Sequence, residues 1–177
     1  MNLQSDDFEL FGVPAQFAQD REQLDARWKD LQREAHPDKF SAQGAAAQRI
    51  AMQWSVRINE AYQRLKDPLR RAAYLCELHG VPVNAENNTA MPADFLMQQM
   101  EWRESLDEAA SAADLDRIND QVMKARREAL QKCGLLIDDA HDYAGAVEQV
   151  RTLMFIERFM HDVEARLDRM DTAGSGQ

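Results

Sequence analysis

Two stretches of the chain repeat an apolar residue at helical spacing, and a proline stands between them. Leu24, Trp28, Leu31 and Ala35 recur at i, i+4, i+7 and i+11, which marks one face of an amphipathic helix. Trp54, Ile58, Ala61, Tyr62 and Leu65 carry the same rhythm further on. Pro37 pushes His36 away from helical dihedrals, so the first helix must stop there. The second helix then packs back on the first as an antiparallel hairpin. His36-Pro37-Asp38-Lys39-Phe40 becomes a short polar loop at the tip, with His36 and Asp38 exposed.

The flanking sequence adds further helices. Asp6-Asp7-Phe8-Glu9-Leu10-Phe11-Gly12 reads as a short first helix, with acidic residues suited to the macrodipole at its start and Gly12 as its stop. Phe8 and Phe11 are expected to pack on the hairpin. Asp20 is the expected N-cap of the hairpin's first helix. The second begins within residues 41–46 and ends near Lys66, and Asp67-Pro68 opens a fourth helix that ends by His79-Gly80. The turn-rich run 80–89 is aperiodic and marks a domain boundary. Three more helical patterns follow, over about 92–110, 113–132 and 140–170, with Gly134 as a stop. Short loops between three helices predict an up-down-up bundle. The expected organisation is a first domain at 1–79, a linker at 80–91, a helical domain at 92–171 and a solvated tail at 172–177. The fold class is all-α.

Composition narrows the function. A net charge of −10 argues against nucleic acid as a partner. Residues 1–91 hold 11 basic and 13 acidic side chains and residues 92–177 hold 10 and 18, so the acidic surface belongs to the second half. No apolar run reaches the roughly 20 residues a membrane span needs, and residues 1–7 have no secretory character. No membrane association is expected, and the cytoplasm is the expected location. Cys76 and Cys133 lack a C-x-x-C neighbour and read as two buried thiols, so neither a metal nor another cofactor is expected.

His36 and Asp38 do not form a convincing catalytic pair. Ser41 is the nearby hydroxyl, His79, His141 and His161 lack ligand spacing, and a protruding tip excludes water poorly. The expectation is a recognition loop and no enzyme. Lys29 and Arg33, four apart, lie on the solvent side of the helix leading to it. In the second half, Phe95, Trp102, Leu106 and Ala109 share one face of a helical wheel and form its core side. Leu96, Met97 and Met100 fall opposite, with Glu101, Glu104 and Glu108. Apolar residues rimmed by carboxylates are either a protein-binding patch or residues covered by another helix or scattered on the surface.

The His36-Pro37-Asp38 triplet, with Trp28-Lys29-Asp30-Leu31 before it and Ile58-Asn59-Glu60-Ala61-Tyr62-Gln63-Arg64-Leu65-Lys66-Asp67-Pro68 after it, resembles the J-domain of DnaJ-type co-chaperones. The resemblance implies that His36, Pro37 and Asp38 dock on a DnaK-type chaperone ATPase and trigger hydrolysis, with Lys29 and Arg33 in electrostatic support. Glu22, Asp25, Asp30 and Glu34 interleave with the basic residues, unlike the densely basic second helix of general J-domains. That departure suggests a specialised chaperone or weaker steering.

The second half resembles the three-helix domain of HscB-type co-chaperones of iron–sulfur cluster assembly. It does so through Phe95-Leu96-Met97-x-Gln99, Glu101, Arg103-Glu104, Leu106-Asp107-Glu108 and Val150-Arg151-x-Leu153-x-Phe155, and Tyr74-Leu75-x-x-Leu78-His79-Gly80 matches at the junction. The resemblance implies an L-shaped two-domain molecule. Its chaperone partner would be HscA and its client the cluster scaffold protein IscU. Leu96, Met97, Met100, Glu101, Glu104, Glu108 and Phe155 would form the scaffold-binding face. The chain lacks the cysteine-rich N-terminal segment of many eukaryotic members and looks bacterial. Two alternatives stay open: a J-domain protein with a different client, and an acidic all-α enzyme or regulator in which the triplet is coincidental.

Overall fold

The computed structural model describes residues 2–84 and 91–175, and every regular element among them is helical. Two compact units divide the chain, Met1–Leu75 and Cys76–Gln177. Residues 85–90 of the expected linker lie outside the described residues.

In the first unit, α1 (Asp7–Phe11) is capped by the Asp6 carboxylate, which accepts the Glu9 N–H at 2.8 Å. Gly12 ends it at φ 64°, the left-handed conformation glycine adopts without steric cost. Asp20 caps α2 (Arg21–Ala35) as expected. A 3₁₀ helix (Pro37–Gln43), α3 (Ala45–Lys66) and α4 (Pro68–Leu78) follow. The tip is thus more ordered than the predicted loop. Pro37 sets the first dihedral of a 3₁₀ turn, and the Lys39 N–H reaches the His36 carbonyl at 3.0 Å.

The hairpin buries Leu24 and Leu31 of α2 against Ala51, Ile58, Ala61 and Leu65 of α3, all 3% exposed or less. Each such large aliphatic side chain contributes about 1.5–3 kcal/mol on leaving water. Phe8 and Phe11 are buried with them. Asp7 is buried too, and it binds α1 to α3 through charge. Arg64 donates to both its oxygens at 2.6 and 3.0 Å. Arg57 Nη1 lies 2.7 Å from Oδ1 but off a hydrogen-bonding line, so that contact is charge pairing alone.

The second unit begins inside the last turn of α4, earlier than the expected boundary after residue 79. Side-chain contacts explain the shift. Cys76 Sγ lies 3.8 Å from the Tyr143 carbonyl, and the His79 ring stacks on Tyr143 at 3.9 Å. The unit then contains α5 (Ala93–Glu108), α6 (Ala112–Gly134), a π-helical turn (Leu135–Asp139) and α7 (Tyr143–Gly174). Trp102, Leu115, Ile118, Val122, Phe155, Ile156, Phe159 and Val163 form its core. Arg151 of α7 donates from Nε and Nη2 to the Val83 carbonyl, at 3.2 and 3.0 Å.

Two expectations for this unit need correction. Gly134 is the last α-helical residue of α6, as expected, but not as a left-handed stop: its backbone is helical (φ −58°, ψ −47°), and the chain runs on into the π turn, closed by Ala140 N–H to Leu135 O at 2.9 Å. Residues 172–174, expected in a solvated tail, belong to α7. Thr172 Oγ1 bonds the Asp168 carbonyl and the Ser175 N–H bonds Asp171, which carry the helix on. Residues 176 and 177 lie outside the described residues.

Candidate functional site

The tip of the hairpin is held from behind and bare in front. Behind it, polar bonds lock α2 to α3. Asn59 Oδ1 accepts from Trp28 Nε1 at 2.9 Å and from Gln32 Nε2 at 2.7 Å, while Ser55 donates to Gln32 Oε1 at 2.8 Å. Tyr62 stacks against Trp28 at 5.0 Å and Phe11 at 6.4 Å and donates its hydroxyl proton to Asp25. These contacts fix the register of α2, and therefore the direction in which its C-terminus delivers His36.

At the tip, His36 serves both as the last cap of α2 and the first of the 3₁₀ helix. Its Nδ1 accepts the Asp38 backbone N–H at 3.2 Å, which leaves the Nε2 edge to the outside. Ser41 Oγ donates to the Asp38 carbonyl at 3.0 Å. The Asp38 carboxylate is 92% exposed and comes no nearer to His36 Nδ1 than 3.6 Å. Backbone and ring are thus fixed while the carboxylate stays fully hydrated.

Lys29 and Arg33 are exposed on α2, as predicted. Arg33 shares its charge with Asp30 at 3.3 Å, and Arg21 is committed to Asp25 at 2.9 Å. The interleaved acids therefore sit beside the bases they dilute. Asp25 is held below the usual carboxylate range, chiefly by the Tyr62 hydroxyl and next by Arg21.

In the second unit, the two faces of α5 separate cleanly. Trp102 is 2% exposed and packs edge-on to Phe95 and face-on to Phe159, while Leu106 and Ala109 lie on the same core. On the far side Leu96, Met97 and Met100 are 47%, 68% and 73% exposed. Glu101, Glu104 and Glu108 are exposed around them. The alternative in which another helix covers these residues does not hold for the isolated chain.

Phe155 is the exception among the predicted residues. It is 6% exposed, set edge-on to Phe95 at 5.6 Å, stacked on Phe159 at 5.9 Å and roofed by the Arg103 guanidinium at 5.3 Å. It lies beneath α5, in the core and off the exposed face. Two features escaped the sequence reading: the Gln32–Ser55–Asn59 ladder, in which Gln32 lies over twenty residues from the other two, and the Arg103 cover on Phe155. Among the described residues no three His, Cys, Asp or Glu side chains stand together as a metal site, and no helix is long and apolar enough to cross a membrane.

A packed helical hairpin presenting an exposed His-Pro-Asp turn, followed by a separate helical unit, is the build of a J-domain co-chaperone. Residues 91–164 match the family described as the HSCB C-terminal oligomerisation domain. The co-chaperone protein HscB homolog of Burkholderia thailandensis is 51% identical over 174 residues, covering 97% of this chain and 99% of the relative. Its counterpart in Burkholderia cenocepacia is 49% identical over 175 residues, with the same coverage. Among solved structures, the chaperone HscB from Vibrio cholerae superposes with a TM-score of 0.80 at 35% identity, covering 94% of this chain and 99% of that one. The human co-chaperone protein HscB superposes with a TM-score of 0.87 at 27% identity, over 94% of this chain and 84% of that one. The chain belongs to the HscB family of co-chaperones.

Proposed function

We propose that this protein is a cytoplasmic co-chaperone of iron–sulfur cluster assembly that brings a cluster scaffold protein, IscU, to a DnaK-type chaperone, HscA, and stimulates the chaperone's ATPase. In this reading His36, Pro37 and Asp38 engage the ATPase, and Lys29 and Arg33 steer the encounter. Leu96, Met97 and Met100 bind the scaffold, and Glu101, Glu104 and Glu108 select a basic rim on it. Phe155 acts from below, by holding Phe95 and α5 in place. The protein carries no chemistry of its own.

The observation that supports this reading best is the bare apolar strip on α5. Three large apolar side chains facing water inside an acidic rim favour a partner with an apolar centre and basic edges. A second copy of the chain suits that strip badly, because a two-fold contact through it sets Glu101, Glu104 and Glu108 against their own copies. The two footprints share no residue, and a scaffold tethered on the same chain as a bound chaperone meets it at a raised effective concentration.

Calorimetry with the scaffold protein of the same organism tests the assignment. A triple Leu96→Ala, Met97→Ala, Met100→Ala variant leaves the core of the unit intact, which Phe155→Ala does not. Binding by the parent that disappears in a variant with unchanged circular dichroism supports the client and the strip. No binding by the parent to apo or cluster-loaded scaffold leaves a J-domain co-chaperone with a different client.

A further inference from the structure

We propose that Met97 and Met100 form a reversible oxidation site for peroxides, and that oxygen transfer to their sulfur atoms switches off docking at the outer face of α5. The switch rests on the client-binding reading above. The oxidation site itself rests on exposure.

The sequence holds nine methionines. Among the described residues only Met52, Met97 and Met100 are exposed, at 54%, 68% and 73%, and Met91, Met123, Met154, Met160 and Met170 are half-buried. Met97 and Met100 lie three apart on one helix, so their side chains are neighbours on the same face. A peroxide in solution therefore meets two adjacent thioethers at the centre of the strip before it meets those of the core. Thioether oxidation follows access, and methionine sulfoxide is enzymatically reversible.

In the reaction the Sδ lone pair attacks one peroxide oxygen. The O–O bond breaks, an S–O bond forms, and sulfur gives up two electrons. The departing hydroxide takes a proton and leaves as water. In the reverse direction a thiol-dependent methionine sulfoxide reductase removes the oxygen as water while two thiols become a disulfide.

The surroundings make this change costly for docking. A sulfoxide oxygen needs a hydrogen-bond donor once it leaves water. Its neighbours on the exposed arc are Leu96, which has no side-chain donor, Glu101, Glu104 and Glu108, which when ionised only accept, and at the edge Arg103, three residues on from Met100, whose guanidinium is set over the Phe155 ring at 5.3 Å. Leu96 and the three glutamates offer the new group no donor, and a bond from Arg103 draws its guanidinium off Phe155, so a partner that fits the apolar form loses contact with the oxidised one. Leucine in place of either methionine keeps an apolar side chain of similar volume and offers no sulfur.

The test treats the full chain with hydrogen peroxide, removes the oxidant, maps sulfoxides by peptide mass spectrometry and titrates the product into the scaffold protein. Expected are sulfoxides at Met97 and Met100 ahead of Met154 and Met160, at least tenfold weaker binding, and recovery after incubation with methionine sulfoxide reductases A and B. A Met97→Leu, Met100→Leu variant, which retains exposed Met52, is compared with itself before and after the same treatment, and its own affinity is expected to be unchanged by the oxidant. Full affinity with both sulfurs oxidised overturns the proposal, as does equal loss in the leucine variant. Oxidation of Met97 and Met100 no faster than of the half-buried methionines overturns it as well. Failure of the untreated parent to bind instead removes the client assignment, and the switch with it, while the mass spectra still decide whether the two sulfurs are the preferred target.

Discussion

The Tyr62 hydroxyl donates to the Asp25 carboxylate across the hairpin, and the Arg21 guanidinium reaches the same oxygen at 2.9 Å. One phenol thus ties α3 to the first turns of α2 while its ring stacks on Trp28. The Asp25 pKa is lowered first by Tyr62 and then by Arg21. A carboxylate depressed in the folded state adds stability above its unfolded pKa and loses it as pH falls through the folded one. Tyr62→Phe keeps the stacking and removes the bond. The expected result is an Asp25 pKa nearer the ordinary range by NMR titration, an acid-unfolding midpoint at higher pH, and a Tm lower by a few degrees at neutral pH.

Asp7 is wholly buried between Arg57 and Arg64. Asp7→Ala leaves two guanidinium groups without their counter-charge, Arg57 the more enclosed of them. A loss of about 3 kcal/mol in urea unfolding is expected for removing one partner of such a buried group. The loss belongs to the first unit, so scaffold binding through α5, in the second unit, is expected to be unchanged.

Both cysteines are sealed. Burial pushes the Cys76 thiol up to about 11 and, together with the nearby Cys76, pushes Cys133 up to about 12. At pH 8 the native protein is expected to give almost no reaction with a chromogenic disulfide reagent and two thiols per chain in guanidinium chloride. Because both values lie above those of an unfolded chain, the stability the neutral thiols hold is present below about pH 9 and is lost as pH rises through 11 to 12.

Trp102 is buried with an indole N–H that meets no acceptor among the described residues. Trp102→Phe gives up volume and no hydrogen bond, so it is expected to cost about 1 kcal/mol, whereas Trp102→Ala costs about 3–5 kcal/mol by opening a cavity. Denaturant unfolding of the two variants separates these values. A phenylalanine variant as damaged as the alanine one shows that the N–H does have a partner.

The fold was legible wherever a local signal was strong. Asp20, Pro37 and Asp67-Pro68 punctuate α2, the tip and α4 by backbone chemistry that needs no distant partner. The periodicity of α5 sets Leu96, Met97 and Met100 opposite Phe95 and Trp102, and only the structure shows that no helix covers them among the described residues. Position within α7 was harder to read. Periodicity says that Phe155 has a buried neighbour at Phe159, and only packing says that Phe95 and Arg103 close over it. Proline and aspartate mark turns and 3₁₀ starts alike, so the sequence of the tip does not separate a loop from a 3₁₀ helix. Gly134 looks like a left-handed stop because sequence does not record whether a glycine uses its left-handed freedom. The Asp7–Arg64 pair joins residues 57 positions apart, beyond any periodic window.

Asp38→Asn tests the tip without disturbing it. Its carboxylate is 92% exposed, and its structural bonds run through backbone atoms, so Tm is expected to stay within about 1 °C, the range of surface changes below 0.5 kcal/mol. Stimulation of the chaperone ATPase is expected to vanish, and scaffold binding by calorimetry to be unchanged.

The exposure of Asp38 also has a consequence for heredity. A change there spares folding, so the defective protein accumulates to the same level as the sound one and escapes quality control. Under the proposed function, every such molecule still holds client and cannot pass it on. In a cell making both forms, the idle copies compete for a shared pool of client, and the lesion behaves as dominant. A change at buried Asp7 lowers the abundance of its own product, leaves few copies to withdraw client, and is expected to behave as recessive.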